Sequence, residues 1–156
     1  MTLSARRMPR AVVMIAGLVV GLGLWVGCVA KPTFEPGPVD PDAPTEFTQT
    51  ESGLQYRILR RGDGPQPKVS DTVKVHYEGT LADGTVFDSS YRTGRPATFS
   101  LGQVIGGWTE GLQLVRRGGM IELVLPPELG YGNQGMPGAI PPGATLHFKV
   151  ELLDIH

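Results

Sequence analysis

The spacing of apolar residues in this chain predicts an α+β fold, several short strands with one helix among them. Three observations carry the prediction. First, two long runs alternate apolar and polar residues with the period of a half-buried strand. In one, Val73, Val75, Tyr77 and Leu81 alternate with Lys74, His76, Glu78 and Thr80; in the other, Leu146, Phe148, Val150 and Leu152 alternate with His147, Lys149 and Glu151. Second, Ile105, Trp108, Leu112 and Val115 fall at helical spacing. Third, Gly and Pro clusters such as Gly62-Asp63-Gly64-Pro65, Gly118-Gly119 and Pro126-Pro127 punctuate these runs, where backbone freedom or a missing N–H ends an element.

Taken in order, Leu54, Tyr56 and Ile58 alternate with Gln55 and Arg57 as a first strand, closed by the turn at 62–65. The strand Thr72 to Leu81 follows. Ala82-Asp83-Gly84-Thr85 then supplies a hairpin signal, because Gly accepts the positive φ that such turns require. Thr85 to Ser89 forms the return strand, and Thr98 to Leu101 a short apolar one. The helix spans roughly Val104 to Leu114. Met120 to Leu125 is a strand stopped by Pro126, and the run from Leu146 closes the chain. Phe87 looks buried, and a carboxylate directly after it, Asp88, implies a hydrogen-bonding partner.

The chain has 156 residues and a net charge of −1, room for one domain with appendages. From Phe47 onward, ten Lys and Arg stand against eleven Asp and Glu. That balance offers no basic face for nucleic acid.

The N-terminus reads as an export signal. Arg6, Arg7 and Arg10 precede an uncharged apolar stretch from Ala11 to Val26, the basic-then-hydrophobic pattern of such segments. The sole cysteine, Cys28, follows Leu24-Trp25-Val26-Gly27, an arrangement similar to the lipobox of bacterial lipoproteins, although Trp25 stands where an aliphatic residue is usual. The expected organisation is a signal peptide over 1–27, a lipidated Cys28 with a Pro-rich linker over 28–46, and a domain over 47–156. Ordinary cleavage after Ala30, giving a soluble secreted protein, and retention of Ala11 to Ala30 as a membrane anchor are the alternatives. Pro32, Pro36, Pro38, Pro41 and Pro44 lie without periodic apolar residues, so this linker is expected to be an extended stalk.

Four blocks carry a resemblance. They are Val75-His76-Tyr77-Glu78-Gly79-Thr80-Leu81, Asp83-Gly84-Thr85-Val86-Phe87-Asp88-Ser89-Ser90, Val104-Ile105-Gly106-Gly107-Trp108-Thr109-Glu110-Gly111-Leu112 and Ile140-Pro141-Pro142-Gly143-Ala144-Thr145-Leu146. In this order and spacing the chain from Gln55 to Leu153 closely resembles the FKBP-type peptidyl-prolyl isomerases. The resemblance implies a twisted antiparallel sheet wrapped around one short helix, and acceleration of Xaa-Pro rotation without a cofactor or metal.

The same resemblance implies the site. Tyr77, Phe87, Val104, Ile105, Trp108 and Phe148 line a pocket floored by the Trp108 indole, and Asp88 faces a polar ligand atom. Tyr131 donates its hydroxyl to one substrate carbonyl and the Ile105 N–H to another. Phe99 and Ile140 complete the apolar walls. Ala97, Met136 and Ala139 stand at rim positions where the best-known eukaryotic members carry an aromatic, a His and a larger aliphatic. Proline-containing polypeptides and rapamycin-type macrolides are the implied ligands, and the protein is expected to be a monomer.

No Gly-x-Ser-x-Gly, phosphate loop or nucleophile–base pairing competes with this reading. His76 and His147 occupy outward strand positions and are expected to face solvent rather than bind metal. Two functions follow from the resemblance: a membrane-tethered isomerase for exported proteins, or a non-catalytic module of the same fold that holds a Pro-containing segment. Tyr77, Phe87, Asp88, Trp108 and Tyr131 together favour the enzyme.

Overall fold

The structure, a computed structural model, describes residues 34–156. The expected signal peptide, Cys28 and the first residues of the expected linker lie outside the described residues. Seven strands form one antiparallel sheet: β1 Thr48–Gln49, β2 Gln55–Arg60, β3 Thr72–Leu81, β4 Val86–Ser89, β5 Ala97–Ser100, β6 Met120–Leu125 and β7 Leu146–Ile155. Their order is β1-β2-β6-β7-β3-β4, with β5 also on β3. Among the described residues there is one α-helix, α1 Gly106–Gly111, continued by a 3-10 turn over Leu112–Leu114.

Strand β3 runs over the residues that alternation predicts, β7 starts at Leu146 as predicted and runs on to Ile155, and β6 spans Met120 to Leu125 as expected. The hairpin between β3 and β4 forms as expected, with Gly84 at φ 85° and its N–H donating to the Leu81 carbonyl at 2.9 Å. The helix starts later than its apolar spacing suggests. Val104 is extended at φ −99° and ψ 176°, and Ile105 caps the helix.

Two glycines explain how so short a helix packs. A Cβ on Gly107 would stand 2.3 Å from Leu125 Cγ, and one on Gly111 2.6 Å from Leu123 Cδ2. One turn apart, they share a face and let α1 lie directly on β6. Trp108 and Leu112 then meet Val73, Val75, Leu101, Leu123, Val150 and Leu152 in the core. Each such side chain contributes about 1.5–3 kcal/mol on burial.

The opposite face of the sheet carries a second, polar cluster. Glu151 pairs with His76 on β3 and Met120 on β6, and alternation would leave it in solvent. Instead it is only 7% exposed. The Tyr91 hydroxyl donates to its Oε1 at 2.6 Å, the Gly37 N–H to the same oxygen at 2.7 Å, and Arg60 Nη2 to Oε2 at 2.9 Å. Burial alone would raise the Glu151 carboxyl, but these three donors outweigh it and hold its pKa below the ordinary value.

Those contacts correct two expectations. The described part of the presumed stalk, residues 34–46, lies along the domain rather than standing free of it. Besides the Gly37 bond, the Asp40 N–H donates to the Leu59 carbonyl at 2.8 Å, and Arg57 and Arg60 donate to the Thr45 and Pro38 carbonyls. Main-chain groups make most of these bonds, so lack of apolar periodicity did not reveal them. Nor does His76 simply face solvent: its ring stacks on Tyr91 at 4.9 Å between centroids, and Nδ1 lies 2.9 Å from Ser90 Oγ.

Candidate functional site

A cavity of about 660 Å³ opens on the helix side of the sheet. Strand β3 delivers Tyr77 to it, β4 Phe87 and Asp88, β5 Phe99, and β7 Phe148. Gln103, Val104 and Ile105 come from the turn into α1, and Trp108 from its first turn. The loop after β6 supplies Tyr131, Met136 and Ala139.

Trp108 stands at the centre of the walls and is 4% exposed. Tyr77, Phe99 and Phe148 meet its ring edge to face, with centroids at 5.2, 5.4 and 5.4 Å. Phe87 meets Phe148 at 5.6 Å and 90°. Such pairs contribute about 0.5–1.5 kcal/mol each beyond burial, and edge-to-face contacts fix ring directions. Gly79 makes the second pairing possible: a Cβ there would lie 2.6 Å from Phe87 Cζ and 2.8 Å from Phe148 Cε1.

The polar groups are few. Tyr77 donates its hydroxyl to Asp88 Oδ2 at 2.5 Å. Burial raises the Tyr77 pKa well above that of an ordinary tyrosine, and the Asp88 hydrogen bond and charge raise it further. The phenol therefore stays protonated at neutral pH and serves as a donor. Asp88 itself lies exposed at the rim, and the Tyr77 hydroxyl is the hydrogen-bonding partner that its place after Phe87 implies. The Ile105 N–H, at the helix cap, and the Tyr131 hydroxyl make no hydrogen bond among the described residues. Tyr131 is 37% exposed in a loop where Gly132 and Gly135 take positive φ. The Trp108 Nε1 hydrogen is likewise without a partner there.

The structure thus brings eleven of the thirteen expected pocket residues to one cavity. Two stand elsewhere. Ile140 is 3% exposed, paired with Met136 in an isolated bridge, and reaches a neighbouring groove with Leu81, Gln134 and Pro137. Ala97 pairs with Val75 at the start of β5 and does not line the cavity. Gln103 lines the cavity and was not anticipated. Its polar side chain in a Gly-flanked turn gave no signal distinguishing it from a surface residue.

Chemically, this arrangement can desolvate an apolar ring and its neighbours, with two donors free for carbonyl oxygens. Among the described residues no paired acid and base face each other across it: Asp88 is the one carboxylate on its walls, and Tyr77 already donates to it.

Comparison with known proteins agrees with that chemistry. The profile of the FKBP-type peptidyl-prolyl cis-trans isomerase family matches residues 64–153. A probable FKBP-type peptidyl-prolyl cis-trans isomerase of Haemophilus influenzae is 58% identical over 107 residues, which are 69% of this chain and 44% of the relative. FkpA of Escherichia coli K12 is 56% identical over 106 residues, 68% of this chain and 39% of the relative. The chain thus spans less than half the length of these two relatives. The crystal structure of Escherichia coli FkpA superposes with a TM-score of 0.69 at 52% identity, covering 72% of this chain and 52% of that one. That of AtFKBP13 gives 0.66 at 37% identity, covering 71% of this chain and 99% of that one.

Proposed function

Because the chain belongs to the family of FKBP-type peptidyl-prolyl cis-trans isomerases, we propose that it accelerates rotation about Xaa-Pro bonds in exported polypeptides. The observation that carries this reading is the aromatic box around Trp108, with the unpaired Ile105 N–H and Tyr131 hydroxyl at its mouth.

The barrier to rotation is about 18–20 kcal/mol and arises from amide resonance. Resonance makes the planar amide more dipolar than the twisted one. A water-poor aromatic cavity therefore favours the twisted form relative to bulk solvent. The Trp108, Phe99 and Phe148 rings hold the proline ring, while Ile105 N–H and Tyr131 fix the flanking carbonyls. Asp88, held by Tyr77, presents its second oxygen to a polar group of the substrate. An acceleration of about 10⁵ needs about 7 kcal/mol, within reach of ring burial and two charge-free hydrogen bonds. No covalent step is involved.

We further propose that the protein is exported and held at a membrane by a lipid on Cys28. Support comes from the basic and apolar leader and the Leu24–Cys28 spacing. Rapamycin-type macrolides should occupy the cavity too, in competition with peptide. The small Ala97 and the Met136 thioether weaken that contact relative to members with aromatic and His rims.

The decisive experiment follows Xaa-Pro isomerisation in a peptide, and the Pro-limited refolding of a protein, with the purified full chain. A clear rate increase over the uncatalysed reaction is expected. A folded chain that leaves both rates unchanged would overturn the isomerase reading and promote a binding module.

A further inference from the structure

We propose that Ser90 is a positioning residue for Tyr77, its hydroxyl doing the work of a missing strand neighbour and so directing the phenol into the cavity. On its outer edge β3 pairs with β5 from Thr72 to Val75 and with β4 from Glu78 to Thr80. His76 and Tyr77 fall in the gap. There the main chain would open to solvent in the middle of the wall that bears the site.

Ser90 fills the gap with a side chain. The Tyr77 N–H donates to Ser90 Oγ at 2.8 Å, and Oγ donates to the Tyr77 carbonyl at 3.2 Å. One hydroxyl thus satisfies both ladder groups of one residue, as a paired strand would. His76 Nδ1 lies 2.9 Å from the same oxygen. A hydroxyl has one hydrogen and two lone pairs. With a hydrogen on Nδ1, two donors and one acceptor saturate it.

Three features fix where Ser90 sits. It is 6% exposed, directly follows the last β4 residue and opens a 3-10 turn over Ser90–Arg92. The next residue, Tyr91, is pinned by the His76 ring and by Glu151. Through the Tyr91–Glu151 bond Ser90 is tied to β7, and Oγ holds Tyr77 to that frame. The consequence falls on the phenol, whose bond to Asp88 at 2.5 Å and edge contacts to Trp108 and Phe99 depend on the direction of the Tyr77 Cα–Cβ bond.

The inference rests on the isomerase reading for its kinetic arm only. In the full chain, Ser90→Ala should lower kcat/KM about fivefold. Combined with Tyr77→Phe, the loss should fall short of the product of the two single losses, because both act through one phenol. The Tyr77 ring ¹³C shifts at neutral pH should move in Ser90→Ala, as the phenol's contact with Asp88 changes. In the wild type, the Tyr77 amide hydrogen should exchange as slowly as those of Val75 and Gly79, which have strand partners. Multiplying losses, unmoved Tyr77 ring shifts, or a Tyr77 amide that exchanges like an open edge would each overturn the proposal. If the chain accelerated no Xaa-Pro substrate, the isomerase reading would fall, while ring shifts and exchange would still decide the role of Ser90.

Discussion

Tyr77 donates its phenolic hydrogen to Asp88 Oδ2 across 2.5 Å, so the carboxylate at the cavity mouth is engaged before any substrate arrives. That contact orients Asp88 and leaves one oxygen for the ligand. It also separates the polar groups of the site into two kinds. Asp88 is preset by Tyr77, whereas Tyr131 and the Ile105 N–H await a partner.

Asp88→Asn and Tyr131→Phe each remove one polar role with little change of shape. If those bonds tighten as the Xaa-Pro bond twists, each should cost about 1–2 kcal/mol, a loss of about 5- to 30-fold in kcat/KM. Melting temperatures should stay close to wild type, since both residues are exposed. Full activity of both variants on several peptides would leave desolvation as the whole mechanism.

Trp108→Ala should behave differently. Its ring is buried and contacts three other rings, so truncation should cost about 3–5 kcal/mol of stability. Activity should fall even where the variant is fully folded, because Tyr77, Phe99 and Phe148 lose the surface that orients them. Unfolding curves beside kinetics at low temperature check both parts.

Much of this was legible in the residues, and what was not has physical causes. Strands β3 and β7 announced themselves because each turns alternate residues into the core, which alternation records. Strand β1, two residues long, is too short to record anything. The start of α1 was misplaced because Val104 and Ile105 are apolar for the cavity rather than for the helix. Glu151 and His76 read as solvent-facing since sequence period assigns a face, not what later covers it. Ser90 stood in a motif block without a role: its bonds to Tyr77 go to main chain, which every sequence shares. Ile140 and Ala97 came from resemblance, and here the loop turns Ile140 into the core instead.

Gly79→Ala tests the aromatic wall from behind. An added methyl would meet Phe87 and Phe148 below 3.0 Å, and neither ring has a flexible end to move. Overpacking of this kind costs about 1–3 kcal/mol. The cavity should widen between β4 and β7, lowering kcat/KM while the Tyr77–Asp88 contact persists. A variant with wild-type stability and rate would show that the rings tolerate displacement.

Cys28→Ser should abolish incorporation of a tagged fatty acid and leave the isomerase rate unchanged, because Cys28 lies twenty residues before Thr48, the first strand residue. Equal labelling of wild type and variant would remove the lipoprotein reading and favour a cleaved or retained leader.

Glu151 links pH to the docking of residues 37–42. Its native pKa is depressed below the ordinary 4.5 because the Tyr91, Gly37 and Arg60 donors together outweigh the opposing effect of burial. A depressed carboxyl contributes stability that is complete above the unfolded value and is lost as pH falls through the native one. The melting temperature should thus hold from neutrality to about pH 5 and decline below it. Glu151→Gln should lower stability at neutral pH by about 2–3 kcal/mol, as bonds to a charged acceptor are replaced by weaker ones, and should flatten that acid decline. Locally, the Gly37 and Asp40 amides, bonded to Glu151 and to the Leu59 carbonyl, should exchange faster in the variant, while β3 and β6 amides keep their protection. Unchanged exchange at Gly37 would mean that the segment is held by Arg57, Arg60 and Leu59 without the carboxylate. A wild-type melting curve equally steep in the Gln variant would place the acid sensitivity on other carboxylates, such as Asp154, whose pKa is also depressed.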